Sequence, residues 1–160
     1  MNDVISSLIA KASARNVTIS NAVAAGVTVF ADERRLEQML TNLVDNAIKF
    51  NREGGSVTIR YQNKDRDRIL VEDTGDGIPP QHLERLFERF YRVDRARSRD
   101  LGGTGLGLAI VKHLARAHRG EVSVRSKFGE GSVFTIELPR GESLDAKPQL
   151  ERNTTDERLS

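Results

Sequence analysis

The chain has no cysteine and no tryptophan, only 4 prolines in 160 residues, and 5% aromatics. Without cysteine there is no disulfide, no thiolate zinc site and no cysteine nucleophile, the usage of a reducing compartment, so we expect the cytoplasm. A long apolar run is also missing. The least polar stretch, Ala22 to Ala31, is broken by Gly26 and Thr28 and falls far short of the roughly 18 apolar residues of a membrane span. We therefore expect no span, no signal peptide and no membrane contact from this chain. Neither sign of charge dominates, with 25 Lys and Arg against 23 Asp and Glu. No basic face made for nucleic acid is expected, and any anion site must be local.

What remains is 38% hydrophobic and 30% charged with 13 glycines, the composition of a soluble globular protein. Its length suits about one domain of roughly 150 residues.

Apolar period predicts a helix from Asp3 to Arg15, and Val17 to Ala22 reads as a strand. A second strand is expected at Val27 to Phe30. Asp32 then caps a helix whose stripe Leu36, Met39, Leu40, Leu43, Val44, Ala47 and Ile48 has helical spacing. Ser56–Tyr61 and Arg68–Glu72 suggest an antiparallel hairpin, followed by a Gly/Pro loop from Asp73 to Pro80. A short helix from Gln81 to Glu88 leads into a basic stretch, Arg92 to Asp100, read as a solvated loop. Gly102-Gly-Thr-Gly-Leu-Gly107 opens a helix to His118, and Glu121–Arg125 with Ser132–Leu138 forms a second hairpin. The sum is an α+β two-layer sandwich, a mixed sheet of about five strands with three main helices on one face and a wetter opposite face. Residues 1–139 form the domain, and 140–160, polar and without apolar period, read as a disordered tail.

Three segments carry candidate chemistry. Asn42, Asn46 and Lys49 lie on the flank of the apolar stripe. An amide oxygen there can take one place on Mg²⁺, and a lysine can meet a phosphate, although polar residues on a helix flank equally well face water. Asp73 ends a strand, where a carboxylate suits an exocyclic amine such as that of adenine, and Gly75 and Gly77 let backbone approach a flat ring; the same residues also make an ordinary turn. Gly102 to Gly107 precedes a helix whose free N–H groups can hold phosphate oxygens, yet glycines fit a hinge too. It is not a Walker loop, since no Gly-Lys-Ser/Thr follows. Arg92, Arg95, Arg97 and Arg99 suit a lid over phosphates. His82, His113 and His118 are read as surface or packing residues.

In this order the segments resemble the ATP-binding catalytic domain of sensor histidine kinases, in the superfamily shared with DNA gyrase B, Hsp90 and MutL. The resemblance covers about Val4 to Pro139. Asn42-Leu-Val-Asp-Asn46-Ala-Ile-Lys49-Phe50 is similar to the N box, Asp73-Thr-Gly-Asp-Gly77 to the G1 box, Leu86-Phe-Glu-Arg-Phe90-Tyr-Arg92 to the F box, and Gly103-Thr-Gly-Leu-Gly107 to the G2 box. Gly129-Glu-Gly131 is similar to the trailing glycine motif, and the wording around Phe90 looks most like the class typified by phosphate-regulon kinases.

The resemblance implies the Bergerat fold, Mg²⁺ on Asn46, the adenine amine on Asp73, and phosphates on Lys49 and Arg92. It extends the nucleotide-binding set to Phe50, Gly75, Gly77, Ile78, Phe90, Tyr91, Gly103, Thr104, Gly105, Leu106 and Gly107, and has Phe87 and Phe90 pin the lid to the core. Superfamily hydrolases carry a glutamate four residues before the magnesium asparagine; here that place holds Asn42, counted with the catalytic set, whose amide cannot accept a proton. Slow hydrolysis is implied, with the γ-phosphoryl of ATP kept for a protein histidine. No histidine here has the phosphoacceptor context, so the dimerisation and phosphotransfer domain is expected to lie outside this chain. A response regulator is the implied downstream partner, the isolated domain is expected to be a monomer, and the parent protein can be anchored in the inner membrane. A stand-alone serine kinase and anti-sigma factor shares the fold and is the alternative.

Overall fold

The computed structural model describes residues 1–141; the expected tail beyond them lies outside the described residues. Ten elements follow in order. They are α1 (Asn2–Ala14), β1 (Thr18–Asn21), α2 (Glu33–Lys49), β2 (Ser56–Asn63), β3 (Asp67–Asp73), a 3-10 segment (Pro80–Arg85), α3 (Arg95–Asp100), α4 (Gly107–Ala117), β4 (Glu121–Lys127) and β5 (Gly131–Leu138).

The strands form one sheet in the order β1-β2-β3-β5-β4, parallel between β1 and β2 and antiparallel elsewhere. This is the expected mixed α+β sheet. Register places Val57, Ile59, Ile69, Val71, Phe134 and Ile136 on one face, where they are buried with Val4 and Leu8 of α1, Met39, Leu43, Val44 and Ile48 of α2, and Val111 and Leu114 of α4. Strand alternation and helical period therefore meet in a single core. The other face carries Thr58, Arg60, Arg68, Glu72 and Glu137, with ion pairs Arg60–Glu72 at 3.0 Å and Arg68–Glu137 at 3.2 Å. It is the wetter face, although Leu70 is buried there.

Asp32 caps α2, its carboxylate accepting from the Arg35 amide at 3.0 Å. The imidazole of His118, which caps the other end of α4, accepts the Asp32 amide at 3.2 Å on Nε2 and lies 2.7 Å from the Leu114 carbonyl at Nδ1. That pattern calls for the Nδ1–H tautomer. His118 therefore ties α4 to α2 and is a packing residue with a defined bond.

Two segments differ from expectation. Val27–Phe30 pairs with no strand among the described residues. Its alternation is real, since Val27 and Val29 are half-buried while Thr28 and Phe30 are exposed, but alternation records one buried side and does not by itself supply a ladder partner. The basic stretch also contains α3, started by Asp94, whose carboxylate accepts from the Arg97 amide at 3.1 Å. Six residues without an apolar stripe give no periodicity to detect.

Candidate nucleotide-binding site

The end of α2 is where the loops converge. The Asp76 amide reaches the Phe50 carbonyl at 3.4 Å, and an ideal Cβ on Gly75 would lie 2.5 Å from that same oxygen. Gly77, at φ +68°, would put a Cβ 2.2 Å from the Lys127 carbonyl. These glycines are therefore required because the loop after β3 is pressed between α2 and the β4–β5 turn, and their close approach is to protein backbone rather than to a flat ring. Arg52 strengthens the junction by donating Nη2 to the carbonyls of Gly75, at 3.1 Å, and Gly129.

Asp73 closes β3 at the floor of a cavity of about 620 Å³, within the range of roughly 300 to 1,000 Å³ usual for small-molecule sites. Its Oδ1 accepts the Gly75 amide at 2.8 Å. Burial pushes its carboxyl up to about 6, against the opposing pull of the Gly75 and Ser132 amides. Ile78, Leu86, Leu108 and Phe134 supply an apolar lining.

From Phe50 the cavity follows α2 back to Asn42, eight residues or about 12 Å at 1.5 Å per residue. Asn46 and Lys49 line it on the way. Lys49 is paired with Asp45 at 2.9 Å, and Asp45 in turn meets Lys11 of α1 at 3.2 Å. Asn42 donates Nδ2 to the Gly107 carbonyl at 3.4 Å. There α4 begins without a side-chain cap, so its first amides are available to an anion. Gly103, Thr104, Gly105 and Gly107 line this end, and Arg92 donates Nη2 to the Gly103 carbonyl. The cavity thus runs from a carboxylate in apolar walls to amides, cations and a helix start, the shape of a molecule with an amine-bearing flat base and an anionic tail.

Of the residues expected at the site, Gly75, Phe90 and Leu106 do not line the cavity. Leu106 is the N-cap of α4, its amide donating to Thr104 Oγ1 at 3.3 Å. The expectation that Phe90 pins the lid needs correction. At φ +65° its backbone amide is turned to the Gly105 carbonyl at 2.8 Å, and its ring is left 68% exposed. Phe87 is the residue that packs inward, edge-on to Phe134 at 6.3 Å. Tyr91 lines the cavity with its hydroxyl bonded to His82 and its ring under the Arg85 guanidinium, 4.6 Å from the centroid. Asp76, Phe128 and Ser132 also line it and were not singled out from the sequence. For Phe128 a signal existed: an aromatic inside a glycine turn, here 66% exposed.

Comparison with known proteins agrees with this geometry. The family described as histidine kinase-, DNA gyrase B-, and HSP90-like ATPase matches residues 31–142. The sensor histidine kinase RppB of Synechocystis is 43% identical over 145 residues, 87% of this chain and 32% of that protein. The sensor protein SrrB of Staphylococcus aureus is 45% identical over 112 residues, 69% of this chain and 19% of that protein. The chain therefore spans about a third or less of these curated relatives. Among solved structures, full-length ShkA in complex with AMPPNP superposes with a TM-score of 0.76 at 37% identity, covering 87% of this chain and 29% of that one. A mycobacterial sensor histidine kinase, MprB, gives 0.70 at 32% identity, covering 88% of this chain and 95% of that one. On the family match and on these relatives, the chain belongs to the histidine kinase-, DNA gyrase B- and HSP90-like ATPases, as a catalytic domain of the sensor histidine kinase kind.

Proposed function

We propose that this domain binds Mg²⁺-ATP in the cavity along α2 and donates the γ-phosphoryl group to a histidine on a separate dimerisation and phosphotransfer domain. The observation that carries the reading is the single cavity joining Asp73 to the uncapped start of α4. In it the ionised Asp73 carboxylate accepts the adenine amine, with Ile78 and Phe50 as apolar neighbours of the base. Lys49 and Arg92 meet phosphate oxygens, and the amides following Gly103, Gly105 and Gly107 cradle them.

The donor set suits a magnesium ion brought with the nucleotide. Asn46 offers a neutral oxygen on the cavity wall, and among the described residues there is no group of three or more His, Cys, Asp or Glu to hold a metal unaided. An amide with phosphate oxygens and water is the usual magnesium arrangement. When bound, the ion neutralises phosphate charge.

Asn42 occupies the place of a water-activating base, and its Nδ2 is given to the Gly107 carbonyl. With no proton acceptor there, hydrolysis is slow. The reaction left is attack by a neutral imidazole nitrogen on the γ-phosphorus, forming the P–N bond as the bond to the ADP oxygen breaks. The acceptor domain belongs to the parent protein, a response regulator receives the phosphoryl group next, and the isolated domain, about residues 1–139, is monomeric. No described helix is long and apolar enough to cross a membrane; anchoring of the parent protein in the inner membrane would come from other segments, leaving this domain in the cytoplasm. That the relatives named above are sensor kinases supports this reading over an anti-sigma serine kinase. Mixing the chain with a phosphoacceptor domain and γ-labelled ATP tests it: acid-labile phosphohistidine is expected, and phosphoserine would favour the alternative.

A further inference from the structure

Among the described residues, the lid helix α3 is joined to the fold through one side chain. The described side chains of α3 other than Arg97 are exposed. Among the described residues, the side-chain hydrogen bonds, ion pairs and ring contacts that tie α3 to the body of the domain all involve Arg97. Its guanidinium pairs with the Asp76 carboxylate and lies 5.8 Å from the centroid of the Phe50 ring. Both partners stand on the cavity rim.

Asp76 is held unusually firmly for a loop residue. Its amide is fixed to the Phe50 carbonyl at 3.4 Å, and its carbonyl accepts the Gly129 amide at 2.6 Å. The carboxylate therefore projects from a rim clamped between α2 and the β4–β5 turn. Arg97 comes from the opposite side, on a helix of six residues with no buried apolar side chain. A segment with so little apolar anchorage opens readily, and the one charged contact that reaches the rigid rim governs how long it stays shut.

We propose that Asp76 and Arg97 form a latch that holds α3 across the mouth of the cavity and so sets the rates at which nucleotide enters and leaves. Both are positioning residues: they act on the lid, and neither is assigned a contact with the phosphates. The inference rests on the nucleotide-binding reading above. At 42% and 40% side-chain exposure the pair is partly screened, so its effect is moderate, about threefold to tenfold in rate for a half-exposed ion pair backed by one cation–π contact.

The test is stopped-flow binding and displacement of a ribose-labelled fluorescent ATP analogue with magnesium, on the full chain. The variants are Asp76→Asn, Arg97→Gln, the double variant, and the exchanged pair Asp76→Lys with Arg97→Glu. The latch predicts faster association and faster dissociation in both single variants. The double variant is no faster than either single one, and the exchanged pair returns partway to wild-type rates. The wild-type advantage also shrinks as salt is raised. If Arg97 instead held a phosphate, Arg97→Gln would weaken binding while Asp76→Asn left dissociation unchanged or slower; that result, or additive effects in the double variant, overturns the latch. A wild-type chain that fails to bind the analogue overturns the nucleotide reading itself, whereas binding with uncoupled variants overturns the latch alone.

Discussion

Asn42 on α2 donates its side-chain amide to the backbone carbonyl of Gly107 at the start of α4, at 3.4 Å. One contact thereby joins two motifs that are 65 residues apart in sequence and fixes the distance between the helix flank that carries Asn46 and the start of α4. It also commits the Asn42 side chain to structure. Replacing Asn42 with alanine is expected to lower stability by about 0.5–1.5 kcal/mol, the usual cost of one hydrogen bond, seen as a lower urea midpoint. Phosphate release should stay at the wild-type level, because no base has been removed. A fall in hydrolysis would show that Asn42 takes part in it.

Asp73 gives a pH prediction with a definite sign. Its carboxyl is raised from 3.8 to about 6 by burial, so the folded state holds the proton more tightly than the unfolded chain does. Its contribution to stability is full below about pH 4 and is lost as pH rises through about 6. Asp73→Asn removes that penalty and should stabilise the domain at neutral pH by up to about 2–3 kcal/mol, each tenfold change in proton affinity being worth roughly 1.4 kcal/mol. Nucleotide binding should be lost in the same variant, since with Oδ1 held by the Gly75 amide the asparagine presents its NH2, a donor, where the adenine amine needs an acceptor. Thermal denaturation and calorimetry on one sample check both. In the wild type, ATP affinity should weaken as pH falls below about 6, because the ionised carboxylate binds the amine.

Asn46 is half-buried on the cavity wall, and its side chain takes no hydrogen bond from the described residues. Asn46→Ala should leave the stability within about 0.5 kcal/mol of wild type, as for a surface substitution. The affinity gain from magnesium should disappear. Titration with ATP analogue in the presence and absence of the ion reads this directly, and an undiminished magnesium effect would reassign the metal ligand.

Gly105 sits at φ +73°, and a Cβ there would lie 2.9 Å from the Phe90 Cα. Gly105→Ala should cost about 1–2 kcal/mol in backbone strain, relieved by movement of the lid base. Nucleotide affinity is expected to fall by more than tenfold while the core stays folded. Gly102, also at positive φ but with nothing within 4 Å, is the control: alanine there brings strain without a clash.

These positions differ in how far the sequence displays them. The α2 stripe from Met39 to Ile48 and both hairpins were legible because each is a local period against one buried face. The order of the motifs was legible too. The packing that makes Gly75 and Gly77 necessary was not, since the atoms they avoid belong to Phe50 and Lys127, and the Lys127 contact crosses 50 residues. The exposed ring of Phe90 was hidden for a related reason: its positive φ is imposed by the bond to Gly105 rather than by any residue type that favours it. Val27–Phe30 misled because alternation reports a buried side, and a buried side does not require a ladder partner. Asp94 caps α3 in the structure, but a single aspartate before a six-residue helix without an apolar period gives no readable signal.

The most direct test of the central claim is transfer itself. The purified chain, γ-labelled ATP, magnesium and a histidine-bearing dimerisation and phosphotransfer domain are combined, and the phosphorylated product is assayed for acid and base stability beside free phosphate. The predicted result is label on the acceptor that is lost in acid and kept in base, dependent on Asp73 and Asn46, with little phosphate released when the acceptor is omitted. Rapid phosphate release by the chain alone, with no label on the acceptor, would contradict it.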